Sequence, residues 1–367
     1  MRLFKVIFFS MFLLFLGQGI LFAADDTSAT DSVDSQTHFF GFPILSQSPE
    51  TGFAVGGYFM AYRYPNPANQ VNMDSLTGIL IYTEKEQLIL NLGVNKYFQD
   101  DRYLLTVDTG YVDFPSYFYG IGTDNKKDIE DLEEEFTLIS KSFQGSFLLK
   151  ISPNIYFGPT LAYCHFDVED REAGGLLTTG DINGSDGVIV SGGGFKLIRD
   201  TRDDGFLPQH GSLFDVQVTG YRKSWGSDED FSQLITNYRR FWPFRETGTF
   251  ALMTTLELSD GEVPFEMMPS LGGLMRGYMD GRFRDNNCAV FQGEYRFPII
   301  TRLSGVAFAG LGEVAPEIDK FNSDNIKAAG GFGLRFRIDP NQKINLRFDI
   351  GLSEDGVYTY INFMEAF

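Results

Sequence analysis

Three arginines lie in one glycine-rich stretch, Leu271 to Asn286, where charge and backbone freedom are concentrated. Arg276, Arg282 and Arg284 could each bind a carboxylate, because guanidinium groups form short, charge-assisted hydrogen bonds with carboxylates. The stretch holds too much glycine and charge to form a strand, and long loops are usually either functional or disordered. Two interpretations follow: a loop that folds inward and plugs the interior of the protein, or a long, solvated surface loop.

Other residue types that carry chemistry are few and scattered. Cys164 and Cys288 are the two cysteines, and they form neither a disulfide framework nor a metal-binding pattern, so both are expected to fill apolar space. The three histidines do not cluster, and the sequence contains no Ser-His-Asp order, HExxH motif, Walker loop or dinucleotide fingerprint. We therefore expect no metal, no cofactor and no enzymatic activity.

The first residues are typical of a secretory signal peptide. A basic start, a nearly unbroken apolar run from Val6 to Leu16 and small residues at Ala23 and Ala24 form the expected pattern. The run is shorter than the ~20 residues that a membrane-spanning helix needs. The sequence predicts a signal peptide over 1–23, followed by a polar, disordered periplasmic lead over 24–37.

The composition favours a β-structured membrane protein. Aromatic residues make up 15% of the 367 residues, glycine occurs 40 times, and the mean hydropathy is only -0.12. A formal net charge of -19 argues against nucleic acid as a partner, since phosphates require lysine and arginine. An aromatic-rich, glycine-rich, secreted chain is typical of an outer-membrane β-barrel. A secreted β-sandwich is the competing fold, but it would not need so many strands.

From His38 onward, segments of alternating character end in turn-forming residues. The predicted strands are His38–Gln47, Phe53–Arg63, Leu76–Tyr82, Gln87–Phe98, Tyr103–Phe114, Phe136–Ile151, Ile155–Asp167, Val188–Ile198, Ser212–Tyr221, Phe231–Trp242, Thr249–Leu258, Ala289–Phe297, Leu303–Leu311, Ala328–Ile338, Lys343–Gly351 and Val357–Phe367. The number is about sixteen, and single-chain outer-membrane barrels have even numbers of strands. We predict an all-β protein, a transmembrane antiparallel β-barrel over 38–367 that forms a closed ring.

The lengths of the connections support this barrel. An even strand number places both termini in the periplasm, and the long loops then all fall on the outer side. The long outer loops are Pro115–Glu135, Val168–Gly187, Asp260–Asn287 and Gly312–Asp324, and the short inner turns include Gln99–Arg102, Ser152–Asn154 and Pro340–Gln342.

Two strands place charged residues on one face. Glu294 and Arg296 alternate with Tyr295 and Phe297, and Asp349 lies on the polar face of its own strand. Charged side chains are costly in contact with lipid, so Glu294, Arg296 and Asp349 are predicted to line the inner wall. A barrel of this size must then fill its lumen with side chains or water.

Several motifs resemble the C-terminal barrel of the BamA/TamA family of outer-membrane assembly factors, also called bacterial surface antigens. They are Arg276-Gly277-Tyr278 with Gly281–Asn286, Phe118–Gly122, Asp200–Asp203 with Pro208 and Gly211, Glu294–Arg296 with Pro298, and the terminal Glu365–Phe367. The resemblance covers nearly the whole mature chain. It implies that Arg276 lies inside the barrel and pairs with an acidic residue on the inner wall, for which we propose Glu294.

The chain also departs from this family. Where the family carries a second acidic partner, this sequence has Gly310, and Asp349 is a candidate substitute. The family's periplasmic POTRA repeats find no counterpart, so a separate periplasmic protein is a candidate partner. Phe363 and Phe367, predicted to share one face of the last strand, form a candidate signal for barrel-assembly machinery. An ordinary last strand is the alternative.

The sequence favours one function and leaves others open. The first strand contains Gly41 and Pro43, and proline cannot donate to a ladder, which predicts a weak seam between the first and last strands. The first hypothesis is a barrel in outer-membrane lipid that assists insertion or assembly of nascent outer-membrane proteins. The second is a transport channel or pore gated by the loop. A membrane lipase is the third, and His165 and His210, at a strand end and an inner turn, do not support it.

Overall fold

The computed structural model describes residues 37–48, 52–65, 71–123, 133–245, 248–339 and 343–367. The predicted signal peptide and all but the last residue of the lead lie outside these residues and stay predictions. Sixteen strands form one sheet in which each strand is hydrogen-bonded to its neighbours along the chain. The predicted antiparallel barrel strands are therefore confirmed.

The strands are β1 (His38–Ser48), β2 (Gly52–Arg63), β3 (Asp74–Thr83), β4 (Leu88–Phe98), β5 (Tyr103–Phe118), β6 (Glu134–Ser152), β7 (Ile155–Glu169), β8 (Val188–Asp200), β9 (Gly211–Tyr221), β10 (Phe231–Phe244), β11 (Gly248–Gly261), β12 (Asn287–Ile300), β13 (Leu303–Ala315), β14 (Lys327–Asp339), β15 (Ile344–Ser353) and β16 (Gly356–Phe363). Two short helices, α1 (Leu176–Thr179) and α2 (Leu271–Leu274), lie in outer loops. Single 3-10 turns occur at Lys223–Trp225, Phe265–Met267, Ile318–Lys320 and Ser323–Asn325. None of the helices in the described residues has the length and apolar character needed to cross a bilayer.

The outer face of the sheet carries exposed apolar side chains, and the inner face carries the buried polar and charged ones. In β12, Gln292, Glu294 and Arg296 are buried, whereas Phe291, next to Gln292 on the opposite face, is 49% exposed. Large apolar side chains such as Phe195 and Phe332 are likewise exposed on other strands. This distribution is the reverse of a soluble protein and suits a barrel whose outer surface contacts lipid.

The sheet is not closed into a ring by hydrogen bonds, contrary to the prediction. Among the described residues, no backbone ladder joins β1 to β16. We call the gap between these two strands the seam. The ring of Phe363 lies 5.4 Å from that of Phe40 and 4.6 Å from that of Phe42, measured between centroids. Aromatic side chains therefore pack across the seam where the backbone does not pair.

The last strand is shorter than predicted. It ends at Phe363 rather than Phe367, because Met364 adopts a left-handed conformation (φ 64°) and its N–H donates to the carbonyl oxygen of Asn345 at 2.8 Å. The chain then turns into the lumen, where Phe367 is only 5% exposed. The predicted shared face of Phe363 and Phe367 is therefore wrong.

The outer mouth of the barrel is covered by loop residues. Phe118, Phe136 and Val168 at strand ends pack with Leu177 of α1 and with Phe265 from the loop after β11. The Phe265 N–H donates to the carbonyl oxygen of Asn183 at 2.9 Å, which joins the two loops. This cover holds the entrance of the long loop between β11 and β12 above the lumen.

Candidate functional site

The stretch from Leu271 to Asn286, here called the lumen plug, lies inside the barrel. The Ser270 hydroxyl caps α2 by accepting from the Gly273 N–H at 3.1 Å, and the Leu271 N–H donates to the Phe283 carbonyl oxygen at 2.9 Å. The plug is therefore a loop closed at its base. Its buried apolar residues and those of the wall that contact them are Leu271, Met275, Tyr278, Phe283, Cys288, Val290, Val314 and Ala329. The inward prediction is confirmed, and the solvated surface loop is excluded.

Arg276 at the tip of the plug bridges two carboxylates on the barrel wall. Its Nη2 donates to Glu294 of β12 at 2.6 Å, and its Nη1 donates to Asp349 of β15 at 2.7 Å. Both carboxylate side chains are 0% exposed. The guanidinium also stacks 3.7 Å from the centroid of the Phe308 ring. Charge-assisted bonds from a planar guanidinium fix both the position and the orientation of the tip.

The carboxylates that bind Arg276 belong to a larger buried network. Arg296 donates to Glu294 at 2.8 Å, while Arg335 binds both Asp349 and Glu365, the latter at 2.8 Å. Arg347 approaches Asp349 at 3.5 Å. The network thus joins the plug, three wall strands and the inward-turned C-terminal residues. Burying these charges is tolerable only because each has partners of the opposite sign.

Two members of the network were missed from the sequence as partners. Arg335 lies on the inner face of β14, as the alternation along that strand predicts, but alternation alone does not identify its carboxylate partners. Glu365 carried no such signal, because the predicted final strand extended beyond it. The structure also brings Phe367 into this region: its backbone oxygen accepts from Arg296 at 2.7 Å, and its ring lies 5.9 Å from the Arg276 guanidinium.

The residues after Arg276 attach the plug to β14 and β16. Gly277 has φ 114°, and a Cβ added there would lie 2.6 Å from the Cβ of Ala329, so only glycine fits. The Gly277 N–H donates to the Tyr360 hydroxyl at 2.8 Å, and that hydroxyl lies 3.3 Å from the Tyr278 carbonyl oxygen. The Tyr278 hydroxyl donates to the Ala328 carbonyl oxygen at 2.9 Å. Through Tyr360, the plug therefore contacts β16, which borders the seam.

The other two plug arginines are held near the outer mouth. Arg282 is 2% exposed and donates to Asp355, in the turn between β15 and β16, at 2.8 Å. Arg284 donates to the Phe265 carbonyl oxygen and lies 3.7 Å from the Glu266 carboxylate. Burial raises the pKa of Glu266, and Arg284 only partly offsets this effect. Arg282 and Arg284 therefore anchor the outer end of the plug, whereas Arg276 anchors its tip.

Gly310, at the position where a second acidic partner was expected, lies directly beneath the plug. A Cβ at Gly310 would be 2.9 Å from the sulfur of Met275 and equally close to Gln292. A carboxylate side chain would have to displace Met275. Asp349 instead supplies the second carboxylate to Arg276, from a strand two places further along the sheet.

The arrangement holds a loop in place. In the part of the chain that the structure describes, no group of three or more metal-binding side chains occurs, and Cys164 and Cys288 are free. Asp200 and Arg202 pair with each other at 2.7 Å within an inner turn. The site can close the lumen while the plug stays attached to β12, β15 and β16.

Comparison with known proteins identifies a family. The Omp85 superfamily domain matches residues 79–363, most of the chain. Comparison with curated proteins gives no match.

Similar solved structures include BamA from Haemophilus ducreyi lacking POTRA domains 1–3, with a TM-score of 0.57 and 15% identity over 90% of this chain and 70% of that one. CdiB from Acinetobacter baumannii has a TM-score of 0.54 and 13% identity over 89% of this chain. CdiB from Escherichia coli has the same TM-score and 14% identity over 89% of this chain. This chain covers 59% and 62% of the two CdiB chains. At these identities the similarity shows a shared fold.

Proposed function

The chain belongs to the Omp85 superfamily and lies in the outer membrane, and from this premise we propose that it assists the insertion or assembly of other outer-membrane proteins. The observation that carries the proposal is the seam. Between β1 and β16 the described residues form aromatic contacts but no ladder. Strand edges without partners present backbone donors and acceptors that can pair with an incoming strand. The seam would therefore template the first strand of a client barrel.

Both edges of the seam are built to pair poorly with each other. Pro43 in β1 has no N–H to donate, and proline is restricted to edge strands or bulges within sheets. β16 has 8 residues against 11 in β1, because the chain turns inward after Phe363. A short strand facing a strand with a missing donor forms few hydrogen bonds, so parting them costs less than parting two full-length strands.

The lumen plug supports this role by closing the barrel without closing the seam. It is bound to β12, β15 and β16 through Arg276 and Tyr360. An open seam in an unplugged barrel would let solutes pass through the membrane. The plug would keep the lumen sealed while β1 and β16 separate.

We propose that the clients are nascent outer-membrane proteins, that a separate periplasmic protein delivers them, and that no catalytic chemistry is involved.

A transport channel is the second candidate, and one observation favours it. A cavity of ≈ 470 Å³ lies among strands of the first part of the barrel, away from the plug residues. Its lining includes the polar side chains Asn91, Asp108, Gln144, Gln217 and Gln233. A cavity with several polar side chains in its lining, in a barrel whose lumen is closed elsewhere by a loop, is also what a gated pore would contain.

Folding of a client barrel in liposomes separates the two candidates. We expect the purified chain, reconstituted alone, to accelerate the folding of an added unfolded outer-membrane barrel. Planar-bilayer conductance should be low and should rise when residues 275–284 are deleted. If client folding is not accelerated while a solute crosses the membrane, the channel is the correct function and the assembly role is wrong.

A further inference from the structure

The turn between β8 and β9, residues 201–210, is an ordered element that we call the inner strap. Asp203 accepts from the N–H groups of Gln209 and His210 at 2.9 and 3.0 Å. Asp204 accepts through one oxygen from the N–H groups of Phe206 and Leu207 at 2.8 and 2.9 Å. Two aspartates thus satisfy four backbone donors, and such local bonds fix the shape of a turn.

The base of the strap is equally constrained. Arg202 forms a forked ion pair with Asp200, with bonds of 3.0 and 2.7 Å, and the Thr201 N–H donates to the Ser212 carbonyl oxygen at 2.8 Å. Gly211 has φ 90°, and a Cβ there would lie 2.0 Å from the Thr201 carbonyl oxygen. Glycine is therefore required where the strap returns to β9, and the strap leaves the wall in one defined direction.

The strap reaches across the inner mouth of the barrel to the strands next to the seam. In a ring of sixteen strands in chain order, β8 and β9 are farthest from β1 and β16. Nevertheless Phe206 packs in one buried cluster with Tyr62 of β2 and Ile344 of β15, and its ring centroid is 5.1 Å from that of Tyr62. Asp204 uses its second oxygen to bind Lys343, just before β15, at 2.6 Å. Phe206 is only 6% exposed.

These contacts connect the two sides of the seam through a third element. Tyr62 lies one strand inside one edge, and Ile344 lies one strand inside the other. When β1 and β16 part, Tyr62 and Ile344 must move away from each other, and the Phe206 ring cannot follow both. Two contacts resist this movement: the buried aromatic contact of Phe206, and the ion pair between the buried Asp204 carboxylate and Lys343, whose side chain is 45% exposed.

We propose that the inner strap clamps the seam at its periplasmic end, with Phe206 as the contact that must be released before β1 and β16 separate. The inference deepens the proposed function, because it assigns the control of seam opening to a turn on the opposite side of the barrel. A client or a periplasmic partner that displaced Phe206 would open the seam without touching β1 or β16.

Hydrogen exchange of the full-length chain in lipid nanodiscs tests the clamp. Phe206→Ala should raise the exchange of β1 and β16 amides by about tenfold, the factor that 1.4 kcal/mol of lost packing gives. Phe231→Ala is the matched control, because it removes a comparably buried ring from a wall cluster that includes no residue of the strap, the plug or the seam strands. It should leave exchange in β1 and β16 unchanged. The clamp is wrong if Phe206→Ala raises exchange in the strap alone, or raises it equally in all strands.

A milder variant keeps the test valid if Phe206→Ala does not fold. Asp204→Asn retains the oxygen that accepts from the strap but removes the charge opposite Lys343, and a small rise in exchange confined to the seam is expected. Client folding in liposomes separates this inference from the proposed function. Faster exchange at the seam without any client folding supports the clamp and overturns the assembly role. Client folding by the wild type with no change in seam exchange in either variant overturns the clamp.

Discussion

The guanidinium of Arg276 lies 2.6 Å from the carboxylate of Glu294, and this contact joins the plug to a wall strand that follows it directly in the chain. The Arg276 side chain is 9% exposed and that of Glu294 is 0% exposed. Asp349 binds the same guanidinium. Removing one member of such a buried network leaves another charge without its partner. The position of the plug therefore depends on this arginine as well as on the apolar contacts of the plug.

Arg276→Ala should release the tip of the plug. Breaking one side of a buried ion pair typically costs ~3–5 kcal/mol, because the remaining charge is left uncompensated. We expect higher conductance in planar bilayers and faster proteolysis within residues 271–286. Arg171→Ala is a matched control, because Arg171 pairs with Asp186 in an outer loop where the carboxylate is 86% exposed. It should change neither property.

Exchanging the charges tests the pair itself. The double variant Arg276→Glu with Glu294→Arg should recover part of the closed state lost in Arg276→Glu alone. Full recovery is not expected, because Asp349 would then face a carboxylate. If the double variant is as open as the single one, the pairing with Glu294 does not hold the plug.

Gly277→Ala should displace the plug through a steric clash. The added Cβ would meet Ala329 at 2.6 Å, and a left-handed conformation adds ~1–2 kcal/mol of strain. Gly174→Ala separates the two effects, since Gly174 also has positive φ but a Cβ there meets nothing within 4 Å. Conductance should rise for Gly277→Ala and stay at the wild-type level for Gly174→Ala. Equal behaviour of the two variants would show that strain, not packing, dominates.

Tyr360→Phe should weaken the link between the plug and β16. The Gly277 N–H would lose its acceptor, and a buried unsatisfied donor costs ~1–3 kcal/mol. Tyr358→Phe on the same strand is the control, because the Tyr358 hydroxyl makes only a 3.5 Å contact with the Asp355 carbonyl oxygen. Hydrogen exchange at Gly277 and its neighbours should increase only for Tyr360→Phe. No difference between the variants would contradict the proposed link.

Glu266 should make plug closure sensitive to pH. Burial raises the pKa of Glu266 above its ordinary 4.5, so the folded loop prefers the protonated carboxyl. The protonated carboxyl stabilises the folded loop fully below pH 4.5. This stabilisation is lost as the pH rises through the raised pKa of Glu266. Conductance should therefore be lowest in acid, and Glu266→Gln should remove this dependence. Glu262→Gln, at an exposed carboxylate, should retain it. A wild-type pH profile unchanged by Glu266→Gln would contradict the assignment.

Local patterns in the sequence were sufficient to predict the strands and the inward face. Alternation with a period of two places Glu294 on the same face as Gln292 and Arg296, and this follows from strand geometry alone. The glycine and arginine content of the plug likewise excluded a strand. Strand ends were less well predicted: β5 continues to Phe118, four residues beyond its predicted end, because it pairs with β6 up to Glu134.

Contacts that depend on register or on a single turn could not be predicted. Arg335 lies opposite Arg347 in the ladder, and Asp349 lies opposite Gly333, so the Arg335–Asp349 pair is a diagonal contact set by the register of β14 and β15. Phe367 turns inward because Met364 leaves the extended conformation and because Arg335 and Arg296 bind the residues that follow. Neither the Arg335–Asp349 pair nor the inward turn after Met364 produces a periodic pattern in the sequence. The reach of the inner strap to β2 and β15 is also a property of the assembled ring.

A reversible lock on the seam tests the central claim most directly. Cysteines in place of Phe42 and Phe363, whose rings meet across the seam with centroids 4.6 Å apart, should be joined by a cleavable thiol-reactive cross-linker that spans the space left by the two rings. Cysteines in place of Leu346 and Phe363, which are partners within the β15–β16 ladder, provide the control. Client folding in liposomes should stop when positions 42 and 363 are cross-linked, return when the cross-link is cleaved, and be unaffected in the control. Undiminished folding by the fully cross-linked seam would contradict the account.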